Sequence, residues 1–120
     1  MTDFQNVGTQ FVQHYYNVFD TQREQLGDLY TEDSMLTFEG EQFKGLEGIG
    51  GKYGALPSIK HKVDTADYHP SLQNGIIAFI TGEISIDGGP GIKFSQVFNL
   101  AVGGKNGYYV HNDLFRMNMS

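Results

Sequence analysis

The sequence predicts an α+β fold in which three N-terminal helices pack on a strongly bent antiparallel sheet, forming a cone with a cavity between the helices and the sheet. Two observations predict this fold class. Apolar residues recur at helical spacing in the first part of the chain, and residues 60–117 alternate in the manner of long strands. No repeat or linker divides the 120 residues, so we expect one domain spanning residues 1–120.

The first two predicted helices occupy the N-terminal quarter of the chain. In the first, from Phe4 to Asp20, apolar side chains repeat at intervals of three and four residues along one face: Phe4, Val7, Phe11, Tyr15 and Val18. His14 adjoins Tyr15 of this apolar face, which makes the histidine a candidate for partial burial. Thr21 and Glu24 are spaced as a capping box, which predicts the start of a second, short helix.

A third helix is predicted over residues 46–56 and is ended by Pro57. Its apolar residues keep helical spacing, but four glycines lie among them. Each interior glycine destabilises a helix by about 1 kcal/mol relative to alanine, so we expect tertiary packing to hold this helix. Residues 48–53 resemble a phosphate-binding loop, but they lack its first glycine and its Ser or Thr and do not follow a strand, which argues against phosphate binding.

A short hairpin precedes this helix and carries the first candidate site. Met35 to Phe38 is strand-like, residues 40–41 supply a turn, and residues 42–44 return as a second strand. Successive side chains of a strand point to opposite faces, so Phe38 can line an interior while Glu39 stands at its rim. Such a pair suits either an acid catalyst beside a pocket or an acidic clamp for a basic partner.

The back half of the chain is predicted to form four long strands, at residues 60–68, 75–86, 91–102 and 107–117, separated by turns such as Asp87-Gly88-Gly89-Pro90. Apolar side chains occupy both faces of these strands. On the last strand, Val110 and Leu114 are predicted to share one face, and Tyr109 and Phe115 the other. A sheet that is apolar on both faces must bury both. The helices can cover one, and we expect a second subunit of a homodimer to cover the other.

Composition excludes several classes of function. The chain has no cysteine, which removes disulfides, thiol nucleophiles and cysteine-ligated metals. Its 14 acidic residues against 8 Lys and Arg give a formal charge of −6, which argues against a nucleic-acid partner and favours a basic protein partner. No leader-like segment or long apolar run is present, so we expect a soluble intracellular protein without membrane insertion.

An enzyme with its active site in the cavity is the main alternative. It requires a carboxylate or histidine inside the cavity and a tyrosine or protonated acid as oxyanion donor. The available groups are Tyr15, Tyr16, Tyr30, His61, His111 and Asp113. No fixed pairing of base and oxyanion donor is visible, and for Asp113 an ion pair with Arg116 or a hydrogen bond to a turn is the favoured interpretation. The four histidines show no metal-ligand spacing, so we expect no metal and no cofactor.

Seven segments, taken in order along nearly the whole chain, resemble the nuclear transport factor 2 family. They are Phe11-Val-Gln-His-Tyr-Tyr16, Phe19-Asp-Thr21 with Arg23 and Gln25-Leu-Gly27, Leu29-Tyr30, Ser34-Met-Leu-Thr-Phe-Glu-Gly40, Leu56-Pro57, Phe94-Ser-Gln-Val-Phe98 and Tyr108-Tyr-Val-His-Asn-Asp-Leu-Phe-Arg116. The resemblance implies a homodimer packed through its sheets. It also implies a carrier, not an enzyme, that takes the small GTPase Ran in its GDP form into the nucleus by touching FxFG repeats of pore proteins.

The family's mechanism, carried over to this sequence, assigns roles to individual residues. An aromatic side chain from the switch II region of Ran enters the cavity, and basic residues beside it meet acids on the rim. The implied cavity wall is Phe38, Leu56, Ile59, Ile92, Leu114 and Phe115, and the implied rim acids are Glu39 and Asp87. The implied FxFG contacts are Phe4 and Asn74, and the implied locations are the cytoplasm, the nuclear pore and the nucleoplasm.

The sequence departs from the family pattern in three places. The Asp87 loop keeps one acid where relatives usually have two or more, which predicts weaker Ran binding. The third helix is rich in glycine, and the segment from Leu56 to His61 is about two residues shorter than usual. Three hypotheses therefore stand: a Ran-GDP carrier, an isomerase- or dehydratase-like cavity enzyme, and an adaptor that binds FxFG repeats without Ran.

Overall fold

The computed structural model describes residues 3–105 and 107–118, and its helices lie in the N-terminal half apart from one short turn. The helices are α1 at Phe4–Thr21, a 3-10 helix at Arg23–Leu29, α2 at Gly45–Gly54 and a short 3-10 helix at Leu72–Asn74. All three predicted helices are therefore present. The second is a 3-10 helix and lacks the predicted capping box, because the Thr21 hydroxyl donates instead to the backbone oxygen of Asn17.

Six strands form one sheet in the order β2-β1-β6-β5-β4-β3. Their bounds are β1 Met35–Phe38, β2 Glu41–Lys44, β3 Ile59–Pro70, β4 Ile76–Ile86, β5 Gly91–Gly104 and β6 Gly107–Met117. The predicted α+β fold class is confirmed, with one refinement. The sheet is mixed, because β1 pairs with β6 in parallel while every other neighbouring pair is antiparallel.

A β-bulge in β6 changes which side chains face the core. Asn99 pairs with Asn112 and Leu100 with Val110, so His111 is an extra residue between two pairs. The bulge shifts the alternation by one residue. Val110 therefore faces the core together with Asp113 and Phe115, whereas Leu114 is 48% exposed on the outer face. The prediction that Val110 and Leu114 share a face was wrong for this reason.

Helix α1 lies along β3 in the opposite direction. Near its start, a Cβ on Gly8 would lie 2.6 Å from the ring of Tyr68, and near its end the Asp20 carboxylate binds His61. Its inner face buries Tyr15, Tyr16 and Phe19 against the sheet. His14 is exposed on the opposite side, so its predicted partial burial was wrong.

Candidate functional site

A small apolar cavity lies between the sheet and the C-terminal end of α2. It is lined by Phe19, Phe38, Tyr53, Leu56, Ile59, His61, Ile84, Gln96 and Phe115. Its free volume is about 10 Å³, which is room for a single water molecule at most. The predicted cavity between helices and sheet is therefore present, but it is nearly closed.

Four of the six predicted wall residues meet in this cavity: Phe38, Leu56, Ile59 and Phe115. Phe38 and Phe115 stack with their ring centroids 4.8 Å apart and their planes 4° from parallel. Ile92 is partly buried and pairs across the sheet with Ile84, which lines the cavity. Leu114 does not contribute to the wall, because the bulge at His111 turns its side chain to the outer face of the sheet.

The two predicted rim acids lie at opposite sides of this cavity in an uncommon backbone conformation. Glu39 directly follows Phe38, and Asp87 is hydrogen-bonded to Ser58, the neighbour of Ile59. Their φ angles are 51° and 52°, in the left-handed region that residues other than glycine seldom adopt. Each acid is followed by a glycine that also has a positive φ, in the turn of a β-hairpin, so the turn geometry accounts for this conformation.

Both rim carboxylates are held by backbone N–H groups. Oε1 of Glu39 accepts from the N–H of Met117 at 2.6 Å, and Oδ1 of Asp87 accepts from the N–H of Ser58 at 3.2 Å. Each residue's own N–H is also bonded, that of Glu39 to Phe115 at 3.1 Å and that of Asp87 to Ser58 at 2.8 Å. The acids are therefore oriented before any partner arrives, which reduces the entropy lost on binding.

Behind the cavity, Asp113 is fully buried and forms no ion pair with any of the residues that the structure describes. Its Oδ2 accepts from the hydroxyls of Tyr30 at 2.6 Å and Tyr53 at 2.7 Å, with that of Tyr15 at 3.4 Å, and its Oδ1 accepts from Gln96 at 2.8 Å. Burial raises the pKa of the Asp113 carboxyl above its usual value, while these hydrogen bonds lower it. Burial likewise raises the pKa of Tyr15, Tyr30 and Tyr53. The predicted ion pair of Asp113 with Arg116 was wrong. The two residues are three positions apart on β6, so their side chains lie on opposite faces of the sheet, and Arg116 is exposed.

Sequence reasoning missed an aspartate–histidine pair at the cavity. Nδ1 of His61 lies 2.6 Å from Oδ1 of Asp20, and the backbone N–H of His61 donates to Oδ2 of the same carboxylate at 2.7 Å. The imidazole stacks on the ring of Tyr16 with centroids 4.4 Å apart. Since Asp20 lies at the end of α1 and His61 at the start of β3, only the tertiary packing of these elements brings them together.

A larger groove, which the sequence did not predict, lies on the helical side. It has a volume of about 570 Å³ and runs between the end of α1, the 3-10 helix at Arg23–Leu29 and α2. Phe19 and Tyr53 line both this groove and the small cavity and lie between them. The glycine-rich helix α2 thus contributes Tyr53 to this partition and has open space beside it.

The two predicted FxFG contacts lie at the other end of the molecule. Phe4 opens α1 and packs partly against the core, and exposed Asn74 lies in the turn between β3 and β4. Because α1 runs antiparallel to β3 and Gly8 meets Tyr68, the start of α1 points toward this turn. The two residues are thus placed on one end of the cone.

Within residues 3–105 and 107–118, no helix is long and apolar enough to cross a membrane. The same part of the chain holds no group of three or more His, Asp or Glu side chains arranged to bind a metal ion.

Helices packed on one six-stranded mixed sheet, with a small cavity between helices and sheet, define an α+β cone-like fold. The chain belongs to the nuclear transport factor 2 family, because the model of the nuclear transport factor 2 (NTF2) domain matches residues 7–117. This confirms the resemblance found in the sequence.

Individual members of the family are similar over nearly their whole length. Nuclear transport factor 2 of Saccharomyces cerevisiae is 46% identical over 122 residues, covering 98% of this chain and 97% of that protein. Nuclear transport factor 2 of Oryza sativa subsp. japonica is 47% identical over 122 residues, covering 97% and 98%. The solved structure of nuclear transport factor 2 from Cryptosporidium parvum has a TM-score of 0.91 and 47% identity, covering 96% of this chain and 94% of that one.

Proposed function

We propose that this protein is a nuclear import carrier that binds the GDP form of Ran and contacts FxFG repeats of pore proteins. The relatives named nuclear transport factor 2 support a role in nuclear transport. The observation that carries the finer proposal is the apolar cavity flanked by Glu39 and Asp87, each placed in a hairpin turn and oriented by an N–H group. Such a carrier works in the cytoplasm, the nuclear pore and the nucleoplasm.

In this mechanism an aromatic side chain of Ran is the anchor. Its burial among Phe38, Ile59 and Phe115 supplies most of the binding energy, as at other interface hot spots. The rim acids then pair with basic residues beside the anchor and fix its register. A nucleotide state that places the anchor loop differently loses both interactions, which explains selectivity for the GDP form.

A homodimer is part of the proposal and accounts for the outer face of the sheet. Phe79 pairs with Val97 and Val97 with Leu114, so the three side chains form a row across β4, β5 and β6. Phe79 is 44% exposed and Leu114 48% exposed in the single subunit, and neighbouring Ile77 is 41% exposed. A second copy with the same apolar row is a self-complementary cover for this face.

The arrangement of ionisable groups favours a carrier over an enzyme. Asp113, the buried carboxylate nearest the cavity, is enclosed by hydrogen-bond donors and is not free to act as a base. One observation favours an enzyme as the second candidate, namely His61, which lines the cavity and is oriented by Asp20. A small molecule that binds in the cavity and loses affinity in His61→Gln would support that candidate.

The carrier is tested by measuring the affinity of the purified protein for Ran-GDP and Ran-GTP side by side. We expect binding of the GDP form alone. Glu39→Gln is the sharper variant, because it removes the charge but keeps a side-chain oxygen for the N–H of Met117. We expect it to weaken Ran-GDP binding about tenfold, whereas Asp33→Asn, an equal change of charge in an exposed turn, leaves binding unchanged. Equal binding of both nucleotide forms would refute the carrier.

The role of the FxFG contacts needs a separate assay. We expect Phe4→Ala to weaken binding of FxFG peptides without changing the affinity for Ran-GDP, since Phe4 lies far along α1 from Asp20 and the cavity. A protein that binds FxFG peptides but neither form of Ran is instead an adaptor.

A further inference from the structure

The cavity is too small, as it stands, for the anchor that the proposed function requires. A cavity that binds benzene, which is about the size of a phenylalanine ring, has a volume of about 150 Å³, whereas this cavity offers about 10 Å³. One of its walls must therefore move before an aromatic ring can enter.

The walls differ in how firmly they are held. Phe38, Ile59, Ile84, Gln96 and Phe115 belong to strands with hydrogen-bonded neighbours in the six-stranded sheet. Phe19 belongs to the 18-residue helix α1. The remaining helical wall consists of Tyr53 and Leu56, at the end of α2 and in the turn that follows it.

Helix α2 is intrinsically weak and is packed along a narrow stripe. Of its ten residues, only Gly45, Ile49 and Tyr53 are buried. Gly50 and Gly51 are exposed, and a Cβ at either position would meet no atom within 4 Å. These glycines therefore relieve no steric conflict, and their main effect is to lower the helix propensity.

Three interactions fasten the end of α2. The hydroxyl of Tyr53 donates to Asp113 at 2.7 Å, and the Arg23 guanidinium donates to the backbone oxygen of Leu56 at 2.7 Å. Lys52 lies 3.6 Å from Glu41 and 4.9 Å from the centroid of the Phe38 ring. All three involve the last turn of α2 or the turn that follows it, so we expect unwinding there to release them together.

We propose that the segment from Ile49 to Leu56 is a lid, which unwinds locally to open the cavity and stays open while an apolar group occupies it. The need for opening rests on the proposed function, which supplies the aromatic group that enters, but opening itself can be measured without Ran. Unwinding moves Tyr53 and Leu56 away from Phe38 and joins the cavity to the 570 Å³ groove on the other side of α2. The exposed glycines thus set how often the lid is open.

The first test changes the helix without touching the cavity. In Gly50→Ala/Gly51→Ala, two substitutions of about 0.8–1.0 kcal/mol each make opening roughly 10- to 30-fold rarer. Hydrogen exchange of the α2 amides should slow by that factor, since exchange there reports local opening. Gly27→Ala is the matched control, because this exposed glycine of the neighbouring 3-10 helix also has no atom within 4 Å of an added Cβ. It should leave exchange in α2 unchanged.

The second test moves the lid in the opposite direction and needs no protein partner. Tyr53→Phe removes the hydrogen bond to Asp113 but keeps the ring, so we expect exchange in α2 to accelerate about tenfold or more. N-acetylphenylalanine amide, added as a free aromatic probe and followed by NMR shifts of Ile59 and Phe115, should bind more tightly to Tyr53→Phe and more weakly to the double alanine variant. If hydrogen exchange in α2, or binding of the probe, does not differ between these variants and wild type, the lid proposal is wrong.

Affinity for Ran-GDP connects the lid to the carrier. If only the open state accepts the anchor, the apparent Kd rises by the factor by which opening becomes rarer. The double alanine variant should then bind Ran-GDP roughly 10- to 30-fold more weakly, in proportion to its slowed exchange. Slowed exchange with unchanged Ran-GDP affinity overturns the requirement for opening. Wild-type protein that does not bind Ran-GDP refutes the carrier, and the exchange and probe results then decide the lid alone.

Discussion

Replacing Tyr30 by phenylalanine removes one oxygen atom from the centre of the buried hydrogen-bond network. The Tyr30 hydroxyl donates to Asp113 at 2.6 Å and lies 2.6 Å from the hydroxyl of Tyr15. Because the proton of Tyr30 is directed at Asp113, Tyr15 is the donor in the second interaction. The variant thus loses a hydrogen bond to a carboxylate and leaves Tyr15 with only its 3.4 Å contact to Asp113.

The expected loss follows from the chemistry of these two bonds. A hydrogen bond to a charged group contributes about 1.5–3 kcal/mol, and a bond between neutral groups about 0.5–1.5 kcal/mol. Tyr30→Phe should therefore lower the free energy of unfolding by about 2–4.5 kcal/mol. Tyr15→Phe, which loses the neutral bond and the long contact, should cost about 1 kcal/mol.

The effect of Tyr30→Phe should also depend on pH. The pKa of Asp113 is raised in the folded protein by burial and lowered by the hydrogen bond from Tyr30, so the variant raises it further. A carboxyl with a raised pKa in the folded state stabilises the fold below its unfolded pKa, near 3.8, and that contribution is lost as pH rises through the folded pKa. Because the pKa of Asp113 in the folded variant is higher than in folded wild type, the variant loses this contribution over a wider pH range. The difference in free energy of unfolding between the variant and wild type should therefore grow from pH 4.5 to pH 7.5.

Urea denaturation of wild type and both variants at the two pH values, at one protein concentration, measures these differences. The concentration is fixed because association of subunits changes the apparent stability. A Tyr30→Phe variant that is no less stable than Tyr15→Phe, or whose deficit is the same at both pH values, would refute the assigned roles of these hydroxyls.

Two further predictions concern packing. Gly8→Val should lower the free energy of unfolding by about 1–3 kcal/mol, because an added Cβ lies 2.6 Å from the Tyr68 ring. Thermal denaturation measures this loss, and a Gly8→Val variant that is as stable as Gly27→Ala contradicts the prediction. Leu114→Asp should convert the proposed dimer to monomer in sedimentation experiments without altering α2 hydrogen exchange, because Leu114 lies on the outer face of the sheet. A dimer that persists in this variant places the subunit interface elsewhere.

The sequence predicted those features that depend on local periodicity and turn chemistry. The apolar spacing from Phe4 onward predicted α1 to within one residue, and the alternation from Ile76 to Ile86 predicted β4. Phe38 lines the cavity as predicted, whereas Glu39 lies beyond the end of β1, so the turn to β2 and not strand alternation places its side chain.

Features that depend on tertiary contacts were not predicted. The bulge at His111 has no local signal in the sequence, yet it decides that Asp113 is buried and Leu114 exposed. The partners of Asp113 come from α1, the first 3-10 helix, α2 and β5, and the partner of His61 from α1. The cavity's small volume likewise depends on how these elements pack, which no spacing rule encodes.

The parallel pairing of β1 with β6 has a consequence for how the protein folds. In the sheet order, β6 lies between β1 and β5, although it is the last strand in the chain. The hairpin of β1 and β2 therefore has no place in the sheet until the C-terminal strand is available, and the contacts that join them have a long sequence separation, which slows folding. During synthesis, α1 and the other strands must wait for Asp113 and Phe115 before the core closes. A chain shortened within β6 should consequently remain incompletely folded and prone to aggregation, even though nearly every other element is present.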